Sequence, residues 1–293
     1  MTSTELLVRE RQDELLEQAH SREVTAGERF EFGKNWSRFL TRLNEERIRQ
    51  AERSLQDMLG VETLAGLSFL DIGSGSGLFS LVARRLGARV LSFDYDPNSV
   101  GCTRELQRRF FPGDRDWRVE HGSALDADYL ESLGHFDIVY SWGVLHHTGA
   151  MWDALELAHR RVAPGGKLFI ALYNDCGAES ERWRRLKRTY CELPEVVKPL
   201  FAAAAILPYE AKDLARSLLR LNPGSYLRSW TAYSGRRGMS RWHDIVDWVG
   251  GYPYEYVSVD VIVRYYAERG FAVRKVAADK GLGCNEFVFA RQP

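Results

Sequence analysis

The chain has 293 residues, of which 45% are hydrophobic and 27% are charged, as in an ordinary globular protein. Lys and Arg together number 40, as do Asp and Glu, so the formal net charge is zero and no basic excess is available for phosphate contacts. This argues against a nucleic-acid-binding protein. The four cysteines have no metal-ligand spacing, and the longest apolar run, 200–207, is too short to cross a membrane. We therefore expect a soluble, cytoplasmic protein with reduced thiols and no membrane span.

Helical patterns dominate the first 66 residues. Residues 4–19 have the caps and charges of a solvated helix, and residues 35–59 place large apolar side chains near helical spacing. The segment between them, 28–36, mixes aromatic and polar residues and fits neither a helix nor a strand. We expect a helical N-terminal cap over residues 1–66.

Short apolar runs then alternate regularly with helical patterns. Candidate strands are 68–71, 89–93, 117–121, 136–141 and 167–173. Candidate helices between them are 78–86, 97–110, 127–133 and 151–162. Alternation of this kind predicts an α/β protein with a parallel, doubly wound sheet.

The pattern changes after residue 173. Helical stretches are predicted at 182–190, 195–207 and 210–221, followed by an irregular part rich in Gly, Trp and Tyr. A helix at 259–268 precedes two strands, 271–278 and 286–291, which we expect to pair as an antiparallel hairpin across Gly281-Leu282-Gly283. The expected units are the N-terminal cap 1–66, a sheet domain of 67–173 and 257–293, and an inserted substrate-binding cap of 174–256.

A glycine loop lies between the first strand and its helix. Gly73, Gly75 and Gly77 let the backbone approach a ligand that faces the free N–H groups of the helix start. Asp94 ends the second strand 21 residues after Gly73, where a carboxylate can accept both ribose hydroxyls of a nucleoside. Asp71 precedes the loop, where it repels a pyrophosphate and favours a cationic ligand. S-adenosylmethionine, with its sulfonium and ammonium, fits these acids better than a dinucleotide does.

Five motifs in order resemble those of class I S-adenosylmethionine-dependent methyltransferases of the small-molecule (type 11/12-like) group. They are LDIGSGSG at 70–77, FDYD at 93–96, HGSA at 121–124, FDIVYSWGVLHH at 136–147 and VAPGGKL at 162–168. The resemblance implies a Rossmann-like seven-stranded sheet of order 3-2-1-4-5-7-6 with the last strand antiparallel, N-terminal helices and a helical insertion after strand 5. One departure is Ser123, which stands where many members have Asp.

The resemblance also implies S-adenosylmethionine as the cofactor and a set of residues that bind it. The three loop glycines pass under the methionine and the ribose, Asp94 binds the ribose hydroxyls, and Tyr95 covers the adenine. The remaining candidates are Asp71 and Ser74 at the loop, Ser123 and Ala124 at the adenine edge, Ser141 and Trp142 beside the methionine, and Lys34 and Trp36 in a segment that closes the pocket. For Asp94 the alternative is a helix N-cap before Pro97, and for the segment 30–36 it is ordinary packing.

His146 and His147 follow the fourth strand at the edge of the sheet where ligands of open α/β folds bind. An acceptor hydroxyl must lose its proton, and His is the usual base near neutral pH, so His147 is the first candidate and His146 the second. The alternative is that one histidine caps the next helix and the other packs beneath it. His243 and Glu255 are further candidates for an alternative base or for acceptor contacts, with a structural role equally open. No third ligand has metal-site spacing, so we expect no metal.

The expected function is transfer of a methyl group to a small-molecule acceptor, most readily to a hydroxyl oxygen. Methylation of nitrogen or carbon on a prenyl, lipid-linked or sugar acceptor is an alternative, and so are an NAD-dependent oxidoreductase and a catalytically inactive binding module. The basic run 182–188 is either a solvated helix face or a site for an anionic group of the acceptor. The sequence leaves the acceptor and the oligomeric state open.

Overall fold

The computed structural model describes residues 3–220, 222, 224, 226, 228 and 241–293, and the side chains of residues 3–8, 34, 35, 37, 38 and 243 lie outside that description. At its centre is one seven-stranded sheet of order β3-β2-β1-β4-β5-β7-β6. The strands are β1 Ser68–Ile72, β2 Arg89–Asp94, β3 Trp117–His121, β4 Phe136–Trp142, β5 Val162–Tyr173, β6 Phe271–Ala277 and β7 Cys284–Arg291. Strands β1 to β5 pair in parallel, whereas β7 runs antiparallel to both β5 and β6. The predicted strand order and the antiparallel last strand are confirmed.

Helices cover both faces of this sheet because its strands are apolar on both sides. The helices of the α/β part are α4 Leu78–Arg85, α5 Pro97–Phe110, α6 Ala127–Ser132, α7 Met151–Arg160 and α11 Val259–Ala267. One buried cluster joins α6, α7 and α11 to the sheet, and a second joins α4 and α5 to the opposite face. The doubly wound interpretation of the alternating pattern is therefore confirmed.

Three helices precede the sheet: α1 Ser3–Thr25, α2 Gly33–Leu40 and α3 Glu45–Leu59. The prediction of one continuous helix over 35–59 is wrong. The chain leaves the helix after Leu40, and Asn44 in extended conformation (φ −140°) begins a new one by accepting a hydrogen bond from the Arg47 amide at 3.0 Å. Asparagine is among the best N-caps, and two glutamates in the first turn of α3 favour its positive end.

The insertion after β5 contains α8 Ala178–Glu192, α9 Lys198–Leu219 and α10 Arg241–Gly250. The predicted separate helices 195–207 and 210–221 are one helix that continues through Pro208. Contacts to α8 anchor the helix beside the proline: the hydroxyl of Tyr209 accepts from Trp183 Nε1 and donates to Glu179, each at 3.1 Å. Most of the irregular part predicted after residue 221 lies outside the described residues.

The aromatic residues of the insertion form a small core of their own. Trp183, Tyr190, Ile245, Val249 and Tyr254 are buried there together. The arginines of the basic run instead pair with glutamates of α8 itself, as in a solvated helix face.

Candidate active site

The glycine loop has the strained backbone that its sequence predicts. Gly73, Gly75 and Gly77 all have positive φ, at 77°, 55° and 79°. A Cβ atom at position 73 would lie only 2.3 Å from Cγ1 of Val144, so no other residue fits there without a shift of the strand-four loop. The amides of Gly73 and Ser74 both donate to the Phe93 carbonyl, which fixes the loop to the end of β2.

Asp94 lies beneath this loop at the carboxyl end of β2. Its carboxylate accepts hydrogen bonds from the amides of Gly75 (2.8 Å) and Asp96 (2.9 Å). Burial raises the pKa of Asp94 to about 7, although the backbone donors oppose that rise. The N-cap of α5 is Asp96, which accepts from the Asn98 amide, so the carboxylate of Asp94 is not occupied in capping this helix.

A second buried acid, Asp71, lies at the end of β1. It is 2% exposed, and the hydroxyl of Ser80 donates to it. Ser80 in turn hydrogen-bonds Ser92 at 2.6 Å, so a polar chain runs from this acid into the sheet. Burial is the main cause that raises the pKa of Asp71 to about 7. A buried acid with a single side-chain donor is suited to a positive charge in the adjoining space.

The loop, the two acids and the ends of the strands line a cavity of about 770 Å³. The predicted cofactor residues in its wall are Trp36, Asp71, Gly73, Ser74, Gly75, Asp94, Tyr95, Ser123, Ala124 and Trp142. Two others lie behind the wall: Gly77 packs against Thr103, and Ser141 donates to the Ile72 carbonyl at 2.9 Å. The side chain of Lys34 lies outside the described residues.

Residues 29–36, which lead into α2 and include its first turn, close over the glycine loop. The indole of Trp36 would be 3.2 Å from a Cβ at Gly75, and the Gly33 amide donates to Asp96 at 2.7 Å. Further along, the Phe30 amide donates to the Tyr252 carbonyl at 2.9 Å. This segment therefore contacts the glycine loop at one end and the insertion at the other. A role for Trp36 at the pocket was predicted, whereas these backbone contacts were not.

Arg29, which sequence reasoning missed, joins the same segment to both ends of the cavity. Its guanidinium carbon lies 5.0 Å from the ring centroid of Tyr95, and Nε donates to Glu23 at 2.7 Å. The Tyr95 hydroxyl donates to the same glutamate at 2.9 Å. Nη1 of Arg29 donates to the carbonyl of His147 at 3.0 Å. No periodicity marks Arg29 in the sequence, because its partners lie on three separate segments.

His147 lies in the cavity wall, on a short 3₁₀ turn over Leu145–His147. Its Nδ1 is 2.5 Å from the Pro253 carbonyl, which can only accept, so Nδ1 carries the proton and Nε2 holds a lone pair. Burial lowers the pKa of His147 to about 3; the hydrogen bond to Pro253 opposes this, and the charges of Lys187 and Arg29 add to it. The ring is therefore neutral, in the tautomer that can accept a proton.

His146 points away from the cavity. It is fully buried, its ring centroid is 4.1 Å from that of Tyr173, and its Nδ1 accepts from the Tyr173 amide at 3.3 Å. Burial lowers the pKa of His146 far below its usual value. Its Nε2 makes no hydrogen bond within the described part of the chain. This arrangement fits the packing alternative for one member of the histidine pair.

The other two predicted catalytic residues are Glu255 and His243. Glu255 lies outside the cavity wall, where its carboxylate accepts from the Met151 amide at 3.1 Å and 3.2 Å at the start of α7. Burial raises the pKa of Glu255. The side chain of His243 lies outside the described residues, whereas Asp244 next to it lines the cavity.

Aromatic rings from three segments form the far end of the cavity, which we call the acceptor wall: Phe30, Phe32, Tyr173 and Trp248. Phe32 lies 5.0 Å from the His147 ring, and Tyr173 lies 5.7 Å from Trp248. Two carboxylates, Asp244 and Asp247, lie beside these rings.

Lys187 stands behind the acceptor wall and is fully buried. Its Nζ donates to the Trp248 carbonyl and lies 4.0 Å from the centroid of the Trp248 ring and 4.9 Å from that of Tyr254. Burial lowers the pKa of Lys187 to about 7. This residue belongs to the basic run, yet it faces the rings and not the solvent.

Within the described ranges, no group of three or more His, Cys, Asp or Glu residues is placed to hold a metal ion. The helices described here include none that is long and apolar enough to span a bilayer.

Comparison with known proteins gives the class. A family model described as a methyltransferase domain matches residues 40–246, more than two thirds of the chain. The chain is 34% identical over 120 residues to a ubiquinone biosynthesis O-methyltransferase of Methylobacterium sp. (strain 4-46), covering 41% of this chain and 46% of that protein. It is 36% identical over 111 residues to the protein of the same name from Xanthomonas oryzae pv. oryzae (strain PXO99A), covering 38% and 45%. The chain spans about half the length of the curated relatives it matches.

Solved structures share the fold at low sequence identity. The magnesium protoporphyrin IX methyltransferase of Synechocystis PCC 6803 with bound SAH superposes with a TM-score of 0.50 at 12% identity, covering 84% of each chain. PKMT2 from Rickettsia typhi in complex with AdoHcy gives a TM-score of 0.54 at 13% identity, covering 83% of this chain and 52% of that one. At these identities the likeness concerns the fold alone.

The sheet order and the glycine loop are those of the class I S-adenosylmethionine-dependent methyltransferase fold. The chain belongs to the methyltransferase-domain family whose model it matches. The alternative of an NAD-dependent oxidoreductase is thereby set aside.

Proposed function

We propose that this chain transfers the methyl group of S-adenosylmethionine to a hydroxyl oxygen of a small-molecule acceptor, and that His147 takes the hydroxyl proton. The observation that carries the proposal is the hydrogen bond from His147 Nδ1 to the Pro253 carbonyl, which leaves Nε2 unprotonated on a ring that lines the cavity. The relatives' names support oxygen over nitrogen or carbon, since they are O-methyltransferases.

The residues in the cavity fit this cofactor. A Cβ at position 73 would clash with Val144, so the loop is built for a close approach of its backbone to a ligand. Asp94 would hold the ribose hydroxyls, Tyr95 and Ala124 would enclose the adenine, and Asp71 would face the positive charges. When bound, S-adenosylmethionine supplies an electrophilic methyl group on a sulfonium.

His147 would act on the acceptor and not on the cofactor. Its neutral ring offers a lone pair at any working pH, because burial lowers its pKa to about 3. Burial is the main cause of that low value, so a negative charge that develops on an acceptor oxygen beside the ring would raise the proton affinity of Nε2 during transfer. The segment that carries Phe32 and Trp36 would keep water out of the cavity while the proton moves.

The acceptor wall supports a planar or otherwise apolar acceptor that bears the hydroxyl. Four aromatic side chains line this end of the cavity and offer apolar surface to such an acceptor. The arginines of the basic run lie on the solvent face of α8, paired with glutamates, and so give no support to an anionic acceptor group. Residues 174–256 contribute Asp244, Asp247 and Trp248 to the cavity, and we assign them as the substrate-binding cap; we assign residues 1–66 as a cap that contacts both ends of the cavity.

Two measurements test the proposal. Calorimetric titration should show binding of S-adenosylmethionine and none of NAD. Incubation of the protein with isotope-labelled cofactor and a cell extract, followed by mass spectrometry, should then identify a labelled metabolite with a new methyl ether. A labelled amine or carbon centre would overturn the oxygen assignment while leaving the methyltransferase class intact.

The role of His147 has a matched control within the chain. His147→Asn should lower kcat by roughly 10²–10⁴-fold, the usual contribution of a general base, and leave cofactor affinity unchanged. His159 also has Nδ1 on a backbone carbonyl, that of Leu155 at 3.2 Å, but lies outside the cavity wall. His159→Asn should therefore leave kcat at the wild-type value. If His147→Asn also keeps the wild-type kcat, His147 is excluded as the base.

A further inference from the structure

Helix α9, Lys198–Leu219, is apolar on two opposite faces. One face packs into the aromatic core of the insertion through Phe201, Ala202, Ala205, Ile206 and Tyr209. The opposite face is exposed, and it is apolar as well. The apolar stripe of a surface helix normally packs against a neighbour, so this exposed face is a candidate contact for a partner.

The exposed face has regular spacing. Its central row consists of Leu200, Ala204, Leu207, Ala211, Leu214 and Leu218, which we call the α9 seam. These positions are spaced 4-3-4-3-4, which is the repeat of apolar residues in helices that pair side by side. Leucines alternate with alanines over its first five positions, and a small residue next to a large one lets two helix backbones approach closely.

The seam is strongly exposed. Seven of the fourteen large hydrophobic side chains that stand exposed in the described part of the chain lie between residues 196 and 219, namely the four seam leucines and their neighbours Val196, Val197 and Leu219. Their exposed fractions run from 39% for Leu214 to 88% for Val196. Exposed apolar surface concentrated in this way marks an interaction site.

The area matches what a second copy would cover. At roughly 120 Å² of apolar surface for a whole leucine side chain, the four seam leucines together with the adjoining Val196, Val197 and Leu219 present about 500 Å². A standard interface buries ~800 Å² per partner, and about 65% of a homodimer interface is apolar, which is also about 500 Å².

The charges on α9 do not favour a lipid surface. Helices that lie on membranes carry an excess of Lys and Arg on their polar face. Helix α9 has three such cations and two acids, and two of its cations are engaged with acids of the same chain: Lys198 with Glu195 at 2.5 Å and Arg216 with Asp213 at 3.4 Å. The seam itself contains no charged residue.

From this spacing, exposure and area we propose that the α9 seam is the interface of a homodimer, in which α9 of one copy packs against α9 of another. The interface lies on the side of α9 that faces away from the aromatic core of the insertion. Pairing there would stabilise the insertion without covering the cavity wall, since none of the six seam residues lines the cavity.

Sedimentation equilibrium of the full chain over a wide concentration range tests this proposal. The wild-type protein should be dimeric at micromolar concentration. The double change Leu207→Glu and Leu214→Glu should raise the dimer dissociation constant by more than about 100-fold, because it places charges in an apolar interface. Leu15→Glu is the matched control: Leu15 is a 57% exposed leucine on a different helix, and its change should leave the dimer intact.

Three results would overturn the proposal. The first is a wild-type protein that remains monomeric at every concentration, which needs no variant to observe. The second is a dimer that the double change leaves unaffected. The third is a monomer that sediments with vesicles of phosphatidylcholine alone or mixed with phosphatidylglycerol, which would assign the seam to a lipid surface.

Discussion

The two buried carboxylates at the glycine loop predict that cofactor binding depends on pH. Burial is the largest cause that raises the pKa of Asp71 and of Asp94 to about 7. Without a cation nearby, both groups are therefore largely protonated at pH 5.5. S-adenosylmethionine brings a sulfonium and an ammonium, which favour the ionised carboxylates. Binding should release protons, and affinity should fall as the pH is lowered through 7.

The size of the effect follows from the fraction ionised. A carboxyl group with a pKa of about 7 is ionised to roughly 3% at pH 5.5 and about 75% at pH 7.5, so one such group lowers the affinity about 25-fold over this range, or ~1.9 kcal/mol. If both acids must be ionised for tight binding, the affinity changes by more than this factor between pH 5.5 and pH 7.5. Calorimetric titrations at pH 5.5, 6.5 and 7.5, each in two buffers of different ionisation enthalpy, measure the affinity and the number of protons released.

Asp71→Asn supplies the control for this prediction. The amide keeps the shape of the side chain and still accepts from Ser80, but it does not titrate. The variant should bind more weakly at pH 7.5 and show a smaller pH dependence than the wild-type protein. Equal wild-type affinity at pH 5.5 and 7.5, with an enthalpy that does not depend on the buffer, would refute the reasoning from burial.

Three substitutions test other parts of the structure. Asp94→Ala should weaken S-adenosylmethionine binding by about 2–4 kcal/mol at pH 7.5, because the two proposed hydrogen bonds from the ribose hydroxyls to the carboxylate are lost. Isothermal titration measures the affinity, and an unchanged affinity would contradict the placement of the ribose. Gly73→Ala should lower the melting temperature more than Gly134→Ala does, because both positions have φ 77° but only the Cβ at 73 meets Val144; equal shifts would mean that the contact is relieved. Lys187→Met should raise the free energy of unfolding by roughly 2 kcal/mol below pH 7. The pKa of Lys187, lowered from 10.5 to about 7, implies that burial of its charge costs on the order of 5 kcal/mol. The substitution removes this cost but also removes the contacts of the ammonium with the rings and with the Trp248 carbonyl, so the net gain is smaller. The folded pKa is the lower one, so this gain should shrink as the pH rises from 7 toward 10.5; urea unfolding at pH 6 and 9 checks it, and a loss of stability at pH 6 would contradict it.

The cofactor half of the cavity was predictable because each of its parts is local in sequence. In a parallel sheet the carboxyl ends of the strands meet at one edge, so residues that follow successive strands must converge. Asp71, Asp94 and Ser123 are such residues, and each occupies the expected strand end. Even the break between α2 and α3 has a local signal, the sequence of Asn44 followed by two glutamates, which the apolar periodicity of the longer run concealed.

The acceptor half was not predictable from spacing. Phe30, Tyr173 and Trp248 come from the N-terminal segment, the end of β5 and α10, and only the folded chain brings them together. Lys187 is a partial exception. It lies four residues after Trp183 and three before Tyr190, so it shares their face of α8, and this spacing contradicts a fully solvated basic run.

The cofactor half of the cavity is shaped by the main chain and the proposed acceptor half by side chains, and the N-terminal segment contacts both halves. At the cofactor end, main-chain geometry fixed by the sheet sets where a ligand can approach. At the proposed acceptor end, rings from the N-terminal segment, the end of β5 and the insertion set the shape and the polarity. Arg29 contacts Tyr95 at the first end and the His147 carbonyl at the second, so the cover that closes over a bound cofactor also fixes the backbone of the proposed base. An enzyme that moves a methyl group must not expose it to water before the acceptor is in place, and a single segment that contacts both ends is a direct way to meet that requirement.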